Sequence, residues 1–190
     1  MRDRLRLPLS FDAAALERDA EGLTAWEPHF NAGNYSGEWS GVALRTNAGA
    51  ETLYADPAAT ARPFEDTPAL ARCSGVRDAL ARLKTTFHGV RFLRLGAGAR
   101  IHEHRDYGLG LDDSNEARLH IPVVSDPGVE FVLADTPVDM RPGELWYIDV
   151  NRYHEVTNAS ARPRIHLVID AVANEWLRAQ LASAEAAGGA

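Results

Sequence analysis

Short apolar runs separated by turn residues dominate the second half of the chain, from residue 90 onward. They recur at intervals of roughly ten residues, and Gly, Pro, Asp and Asn lie between them. This spacing is typical of an antiparallel sandwich or barrel, and about eight strands is the usual number for a jelly roll. The sequence therefore predicts a mainly β fold of this kind with flanking helices. The runs cover 90–95, 116–124, 129–134, 144–150, 154–158 and 164–172.

The N-terminal half and the C-terminus show different patterns. Polar and apolar residues alternate from Arg4 to Leu9, which predicts a first strand. Ser10 then precedes an alanine-rich run, and we expect it to cap a helix that extends to about Leu23. The other predicted elements are a loop over 28–37, a strand from Trp39 to Leu44, a loop from Asp56 to Pro63, a helical stretch from Thr67 that restarts near Ser74 and runs to Phe87, and a closing helix from Asn174 to Ala187.

Length and composition narrow the classes of protein. A chain of 190 residues fits one domain, which we divide into supporting elements (1–89), a barrel core (90–172) and a C-terminal helix with a tail (173–190). A net charge of −7 argues against nucleic acid as a partner. The single cysteine, Cys73, allows no intramolecular disulfide. No apolar run is long enough to span a membrane, so we expect a cytoplasmic protein.

The segment His104-Arg105-Asp106 is the strongest chemical signal. Residues two apart in an extended segment point to the same side, so His104 and Asp106 can bind one ion. With His154 they give two nitrogens and one oxygen, the facial triad of non-haem Fe(II) oxygenases, which leaves half of an octahedron open. The same donors suit zinc. His102 shares the strand parity, so a pair of His102 and His104 with a different acid is also open.

Arginine and histidine share one side of two predicted strands. In the last strand Arg164, His166 and Val168 point the same way, and in an earlier strand Arg118 and His120 do so. The planar fork of arginine forms two parallel bonds to a carboxylate. Because an apolar core has no use for these residues, the pattern indicates a dianionic ligand inside the barrel.

Four segments carry a resemblance to a known family: HEHRDYG (102–108), ARLHIPVV (117–124), GELWYIDVNRYHEVTN (143–158) and RPRIHLVID (162–170). On these segments, the region from about Val90 to Ala171 resembles the aspartyl/asparaginyl β-hydroxylases, which include bacterial proline hydroxylases. The resemblance implies a double-stranded β-helix, or cupin-like, fold. It also implies a dioxygenase that uses Fe(II), 2-oxoglutarate and O2.

The resemblance also implies roles for individual residues. The animal β-hydroxylases lack an acidic iron ligand, whereas this chain has Asp106, which brings it nearer to the bacterial members. An aspartate at this position predicts hydroxylation rather than halogenation. By the resemblance, His104, Asp106 and His154 bind iron, Arg164 binds the distal carboxylate of 2-oxoglutarate, and Arg118 and His120 also contact this co-substrate.

The expected reaction is hydroxylation of an amino acid or amino-acid residue, with release of succinate and CO2. The substrate is expected to be Asp or Asn in a peptide or protein, or a free proline-like amino acid. Arg45, Arg94, Tyr107 and Trp146 are the candidate substrate contacts. Arg91 and Arg94 are three positions apart, so at most one of them faces the pocket of a regular strand.

Two other functions are compatible with the sequence. A non-catalytic cupin that binds a small acid or sugar needs the fold and the arginines, but it does not need three working ligands. A zinc hydrolase needs a general base near the metal, for which Glu103 or Glu155 is available.

Overall fold

Two antiparallel sheets face each other in the computed structural model, which describes residues 2–53, 62–111 and 114–188. The predicted mainly β jelly-roll fold with flanking helices is confirmed. The strands are β1 (Arg4–Ser10), β2 (Glu27–Pro28), β3 (Tyr35–Ser36), β4 (Trp39–Asn47), β5 (Phe64–Asp66), β6 (Phe87–Leu95), β7 (Arg100–His104), β8 (Glu116–Val124), β9 (Val129–Leu133), β10 (Thr136–Pro137), β11 (Glu144–Ile148), β12 (His154–Asn158) and β13 (Arg164–Val172). The α-helices are α1 (Ala13–Glu21), α2 (Pro68–Ala71), α3 (Ser74–Ala81) and α4 (Glu175–Ala186), and a 3₁₀ helix covers Ala32–Asn34.

The large sheet contains strands from both ends of the chain. Its order is β1-β11-β8-β13-β6-β4-β2, and β5 pairs with β4. The small sheet has the order β10-β9-β12-β7-β3. Strands from the first ninety residues therefore extend the large sheet on both sides of the segments that form its centre.

Alternation along the strands gives the large sheet two different faces. Leu167 and Ile169 of β13 belong to an apolar core that includes Leu16, Val76 and Leu177 of the helices. The residues between them in sequence point toward the small sheet, as expected for a strand. There a second apolar core includes Leu95, Phe131, Trp146, Ile148 and Val156 from both sheets. The helices thus cover one face of the large sheet, and the other face borders both this second core and a cavity between the sheets.

Several predicted boundaries were wrong, for local reasons. Ser10 is the last residue of β1, and Asp12 caps α1 instead by accepting a hydrogen bond from the Ala15 amide at 3.1 Å. α3 ends at Ala81, although Leu83 and Phe87 continue the helical spacing. Leu83 is buried just after the helix, and Phe87 begins β6.

Other elements were missed or lie outside the described residues. The predicted loop over 28–37 contains the 3₁₀ helix and β3. The strand expected to hold His102 and His104 is β7, and it ends at His104, before Asp106. Most of the loop predicted from Asp56 to Pro63 lies outside the described residues. The closing helix is confirmed, with Asn174 accepting a hydrogen bond from the Leu177 amide at 3.0 Å. Within the described chain, each helix is too short or too polar to cross a membrane.

Candidate active site

A cavity of about 610 Å³ lies between the two sheets. Its walls come from β6, β8 and β13 of the large sheet and from β7, β9 and β12 of the small one. The cavity brings together seven of the residues that the sequence singled out. They are His104, Asp106, Tyr107, Arg118, His120, His154 and Arg164.

Three of these residues form a compact group of possible metal ligands. His104, Asp106 and His154 each offer one ligand atom, and these atoms all lie within 4.8 Å of one another. His104 and His154 are opposite each other in the pairing of β7 with β12, and their ring centroids are 4.3 Å apart. Nε2 of His104 is 3.9 Å from Oδ1 of Asp106. Two nitrogens and one carboxylate oxygen therefore converge at one point.

A β-bulge determines which histidine of β7 enters the cavity. Ile101 is opposite Val156 and His104 is opposite His154, so three steps along β7 match two steps along β12. The extra residue reverses the alternation, and Ile101 and His104 both line the cavity. The side chain of His102 is exposed. The structure therefore brings His104 together with Asp106 and His154, and not with His102.

Backbone carbonyls orient both imidazole rings. Nδ1 of His104 lies 2.8 Å from the carbonyl of His102, and Nδ1 of His154 lies 3.0 Å from that of Arg152. A carbonyl can only accept, so Nδ1 carries a hydrogen, and in the neutral ring Nε2 is the nitrogen whose lone pair faces a metal. Burial is the main cause that lowers the pKa of His154 to about 4, which keeps this ring neutral at neutral pH.

Asp106 is held after the end of β7 by its backbone and by Arg118. Its amide donates to the Val150 carbonyl at 2.8 Å, and Nη1 of Arg118 donates to its Oδ2. Arg118 also donates from Nε to Oδ1 of Asp170 at 2.7 Å and from Nη2 to Oδ2 at 3.1 Å. Arg91 contributes a further bond to Oδ2 of Asp170 at 2.8 Å. Asp106, a candidate metal ligand, is therefore linked through Arg118 to a buried network of ion pairs.

The charges in this network stabilise one another. Burial disfavours the charged form of Arg118, but the carboxylates of Asp170 and Asp106 outweigh it and raise the pKa of Arg118 above its ordinary value. Burial by itself would raise the pKa of Asp170, but Arg118 and Arg91 hold it well below its usual range. Arg118 and Asp170 therefore both stay ionised at neutral pH.

Arg164 is a buried cation for which the described residues provide no carboxylate partner. The residue is 3% exposed, and burial lowers the pKa of its guanidinium to about 9. Nη2 donates to Nδ1 of His166 at 2.9 Å, while its Nε and Nε2 of the neighbouring His120 have no described hydrogen-bond partner. An unpaired buried charge is costly unless a ligand of opposite charge binds it. This part of the cavity is therefore suited to an anion.

Arg94, a predicted substrate contact, is not among the residues that line the cavity. Its Nη2 is 2.5 Å from Oε1 of Glu38, and its guanidinium lies 4.3 Å from the ring centroid of Trp26. Arg91, three positions earlier on β6, lines the cavity instead. The structure thus resolves which of these two arginines faces inward.

Arg45 and Trp146, two further predicted substrate contacts, are also not among the residues that line the cavity. Arg45 donates to Asp66 at 2.5 Å and to the carbonyls of Phe64 and Phe87 at 2.6 and 2.9 Å. These bonds join β4 to its neighbours and occupy the guanidinium. Trp146 is buried in the apolar core between the sheets, and its Nε1 donates to Glu144 at 2.9 Å.

The segment over 28–37 contributes a wall that sequence reasoning treated as a plain loop. His29, Phe30, Asn31 and Asn34 line the cavity, and the ring of His29 stacks on Trp39 with centroids 3.4 Å apart. Burial, followed by the charge of Arg91, lowers the pKa of His29 to about 4. The aromatic and amide side chains concentrated in PHFNAGNYSG were the sequence feature that could have indicated a cavity wall here.

Comparisons with known proteins find a matching family model and a curated relative. The family model described as aspartyl/asparaginyl beta-hydroxylase matches residues 9–174. An L-proline cis-4-hydroxylase from Rhizobium meliloti (strain 1021) is 27% identical over 175 residues, which cover 85% of this chain. The chain spans 58% of the length of that relative.

Solved structures share the fold at low sequence identity. A 2OG-Fe(II) oxygenase family oxidoreductase from Burkholderia pseudomallei is similar with a TM-score of 0.57 and 15% identity, over 90% of this chain and 86% of that one. A prolyl-4-hydroxylase from Pseudomonas putida has a TM-score of 0.52 and 16% identity, over 92% and 94%.

Proposed function

The chain belongs to the aspartyl/asparaginyl β-hydroxylase family, and we propose that it is an Fe(II)- and 2-oxoglutarate-dependent dioxygenase that hydroxylates an amino acid. One observation carries the proposal. The three-ligand cluster of His104, Asp106 and His154 shares a cavity with Arg164, a buried cation that lacks a described carboxylate partner. A redox metal that works with a dicarboxylate co-substrate accounts for both features.

The donor set fits Fe(II). Two neutral imidazoles and one carboxylate form the facial triad of non-haem iron oxygenases, which leaves three positions of an octahedron for co-substrates. Nε2 of His104, Nε2 of His154 and Oδ1 of Asp106 would hold the metal. When bound, iron with 2-oxoglutarate and O2 supplies the oxidising power to hydroxylate a C–H bond, with release of succinate and CO2.

Arg164 and its neighbours fit the distal carboxylate of 2-oxoglutarate. The planar guanidinium of Arg164 can form two parallel hydrogen bonds to a carboxylate. His166 fixes the orientation of this guanidinium by accepting a hydrogen bond at Nδ1. Burial, with the positive charge of Arg164 adding to it, holds the pKa of His120 and His166 well below the ordinary value, so both rings are neutral. A carboxylate is therefore the group that can neutralise Arg164. Arg118 has three of its N–H bonds directed at Asp106 and Asp170, which favours a structural contact over the predicted contact with the co-substrate.

The alternative functions account for fewer of these features. A zinc hydrolase needs a general base, but neither Glu103 nor Glu155 is among the residues that line the cavity, and Glu155 pairs with Arg100. A non-catalytic cupin needs no metal ligands, yet both histidines are oriented with Nε2 toward one point.

We infer that the substrate is a free amino acid with an intact carboxylate. A cavity of about 610 Å³ holds small ligands of the size of 2-oxoglutarate and an amino acid. Arg91 lines this cavity and uses one described bond, to Asp170, which leaves N–H groups for a substrate carboxylate. The similarity to an L-proline cis-4-hydroxylase supports a proline-like amino acid.

The test is succinate formation by protein reconstituted with Fe(II) under reducing conditions. The protein receives 2-oxoglutarate with L-proline, other free amino acids, or peptides that contain Asp or Asn. We expect free proline-like amino acids to raise succinate formation above the level without substrate, and the hydroxylated product to appear by mass spectrometry. His104→Ala is the inactive control. Iron-loaded protein that forms no more succinate than this control would contradict the proposed function, and turnover of the peptides alone would contradict the proposed substrate.

A further inference from the structure

The two carboxylate oxygens of Asp106 have different surroundings. Oδ1 is the oxygen near His104, 3.9 Å from its Nε2. Oδ2 accepts a hydrogen bond from Nη1 of Arg118. The carboxylate therefore presents one oxygen to the metal-ligand cluster, while a guanidinium occupies the other.

Arg118 is oriented toward Oδ2 of Asp106 because Asp170 accepts hydrogen bonds from the other side of its guanidinium. Asp170 is opposite Arg118 in the pairing of β13 with β8, so the sheet itself aligns the two side chains. Two bonds at 2.7 and 3.1 Å, to Nε and Nη2, fix the plane of the guanidinium and aim Nη1 at Asp106. Asp170 is 7% exposed and is not among the residues that line the cavity of His104, Asp106 and His154.

We propose that Asp170 is a positioning residue for the metal site: by fixing Arg118 it makes Asp106 bind the metal through Oδ1 alone. The inference rests on the proposed function. A carboxylate that binds through both oxygens takes one more coordination position. The proposed reaction needs two positions for 2-oxoglutarate and one for O2, so the facial triad must leave all three open. The ion pair between Arg118 and Asp170 preserves that space.

A purely structural ion pair between β8 and β13 is the competing explanation, and metal affinity distinguishes the two. The loss of a structural pair lowers the free energy of unfolding but does not affect the ligand atoms. The loss of a positioning residue weakens metal binding in protein that is still folded. Residues that support metal ligands typically contribute about 10- to 100-fold to metal affinity.

The experiment measures Mn(II) binding to metal-free protein by calorimetry, with Mn(II) as an air-stable substitute for Fe(II). We expect Asp170→Asn to raise the dissociation constant about 10- to 100-fold, because Arg118 then no longer holds Asp106 in the orientation that binds the metal. It should also weaken the binding of 2-oxoglutarate to the Mn(II)-loaded protein, because an Asp106 side chain that is not held can turn its second oxygen into a coordination position that the co-substrate needs. Asp170→Glu keeps the charge and should recover part of the metal affinity. Circular dichroism and thermal melting establish that each variant is folded.

Asp66→Asn is the matched control. Asp66 is paired with Arg45 in the same sheet, and this substitution removes the same charge without a described contact to Arg118. Its Mn(II) affinity should equal that of the wild type. Folded Asp170→Asn protein with wild-type affinity would overturn the inference and leave the proposed function intact, whereas wild-type protein that binds no divalent metal would overturn both.

If Asp170→Asn does not fold, Arg118→Lys provides the same test. A lysine keeps the charge, but it cannot hold both carboxylates with a fixed planar fork. We expect the same loss of Mn(II) affinity, and an unchanged affinity would again overturn the inference.

Discussion

Nη2 of Arg164 donates to Nδ1 of His166 over 2.9 Å, so this buried cation is hydrogen-bonded to a neutral ring rather than to an acid. In the described structure the burial of Arg164 is not offset by an opposite charge. Such an arrangement is unfavourable for the ligand-free protein, and it becomes favourable when a carboxylate binds. The buried Arg164 therefore lowers the stability of the ligand-free protein and raises its affinity for a carboxylate ligand.

Replacement of Arg164 by methionine should therefore change stability and ligand affinity in opposite directions. We expect Arg164→Met to weaken 2-oxoglutarate binding to Mn(II)-loaded protein by about 2–5 kcal/mol. The metal-free variant should be at least as stable as the wild type, because a buried charge is removed. Calorimetry gives the affinity and urea unfolding gives the stability.

Arg162→Met is the control for that prediction. Arg162 lies two positions earlier and is exposed, with a bond to Glu17. Its replacement should leave 2-oxoglutarate affinity unchanged. Wild-type affinity in Arg164→Met would show that another residue binds the distal carboxylate.

Stability should also depend on pH through the buried histidines around Arg164. Burial, with the charge of Arg164 next in size, keeps the pKa of His120 and His166 well below 6.5 in the folded protein. In the unfolded chain these rings take up protons below about pH 6.5. The unfolded state then binds more protons than the folded state, so the free energy of unfolding falls as the pH drops below that value. Above that value the neutral rings make their full contribution to stability. Each ring adds a slope of up to about 1.4 kcal/mol per pH unit.

Urea unfolding of metal-free protein between about pH 7.5 and about pH 5.5 measures this slope. His166→Asn keeps a hydrogen-bond acceptor but cannot take up a proton in this range, so its slope should be smaller than that of the wild type. A wild-type protein that becomes more stable on acidification would contradict the assignment of neutral rings.

The sequence predicted the parts of the site that depend on strand alternation. Arg164 and Val168 share the cavity face of β13, and Arg118 and His120 share that of β8. Alternation is reliable there because the opposite face of each strand is buried against the helices, which fixes the register. A regular strand with one apolar face determines the direction of its polar side chains.

Features that depend on a partner strand were not predictable in this way. The bulge at β7 arises in its pairing with β12, and it excludes His102 while it admits His104. The contact between Asp170 and Arg118 follows from the register of β13 on β8, which joins residues far apart in sequence. Neither relationship leaves a local pattern, so both emerged only from the fold.

The bulge gives a direct prediction for the two histidines of β7. His104→Ala should abolish measurable Mn(II) binding, because one of three ligands is lost. His102→Ala is the matched control, because it removes the same ring from an exposed position and keeps the backbone carbonyl that orients His104. It should bind Mn(II) like the wild type. Stoichiometric metal in His104→Ala, or a loss of metal in folded His102→Ala, would refute the ligand assignment.

The two arginines of β6 give a similar comparison for the substrate. Arg91 lines the cavity, whereas Arg94 lies over Trp26 and pairs with Glu38. Arg91→Gln should raise the KM for the amino-acid substrate, because a cation that can bind its carboxylate is lost. Arg94→Gln should leave that KM unchanged and lower the free energy of unfolding by about 0.5–1 kcal/mol, through the loss of the cation–π contact. Steady-state kinetics and urea unfolding measure the two effects. If Arg94→Gln raised the KM and Arg91→Gln did not, the substrate would bind elsewhere than at the inner face of β6.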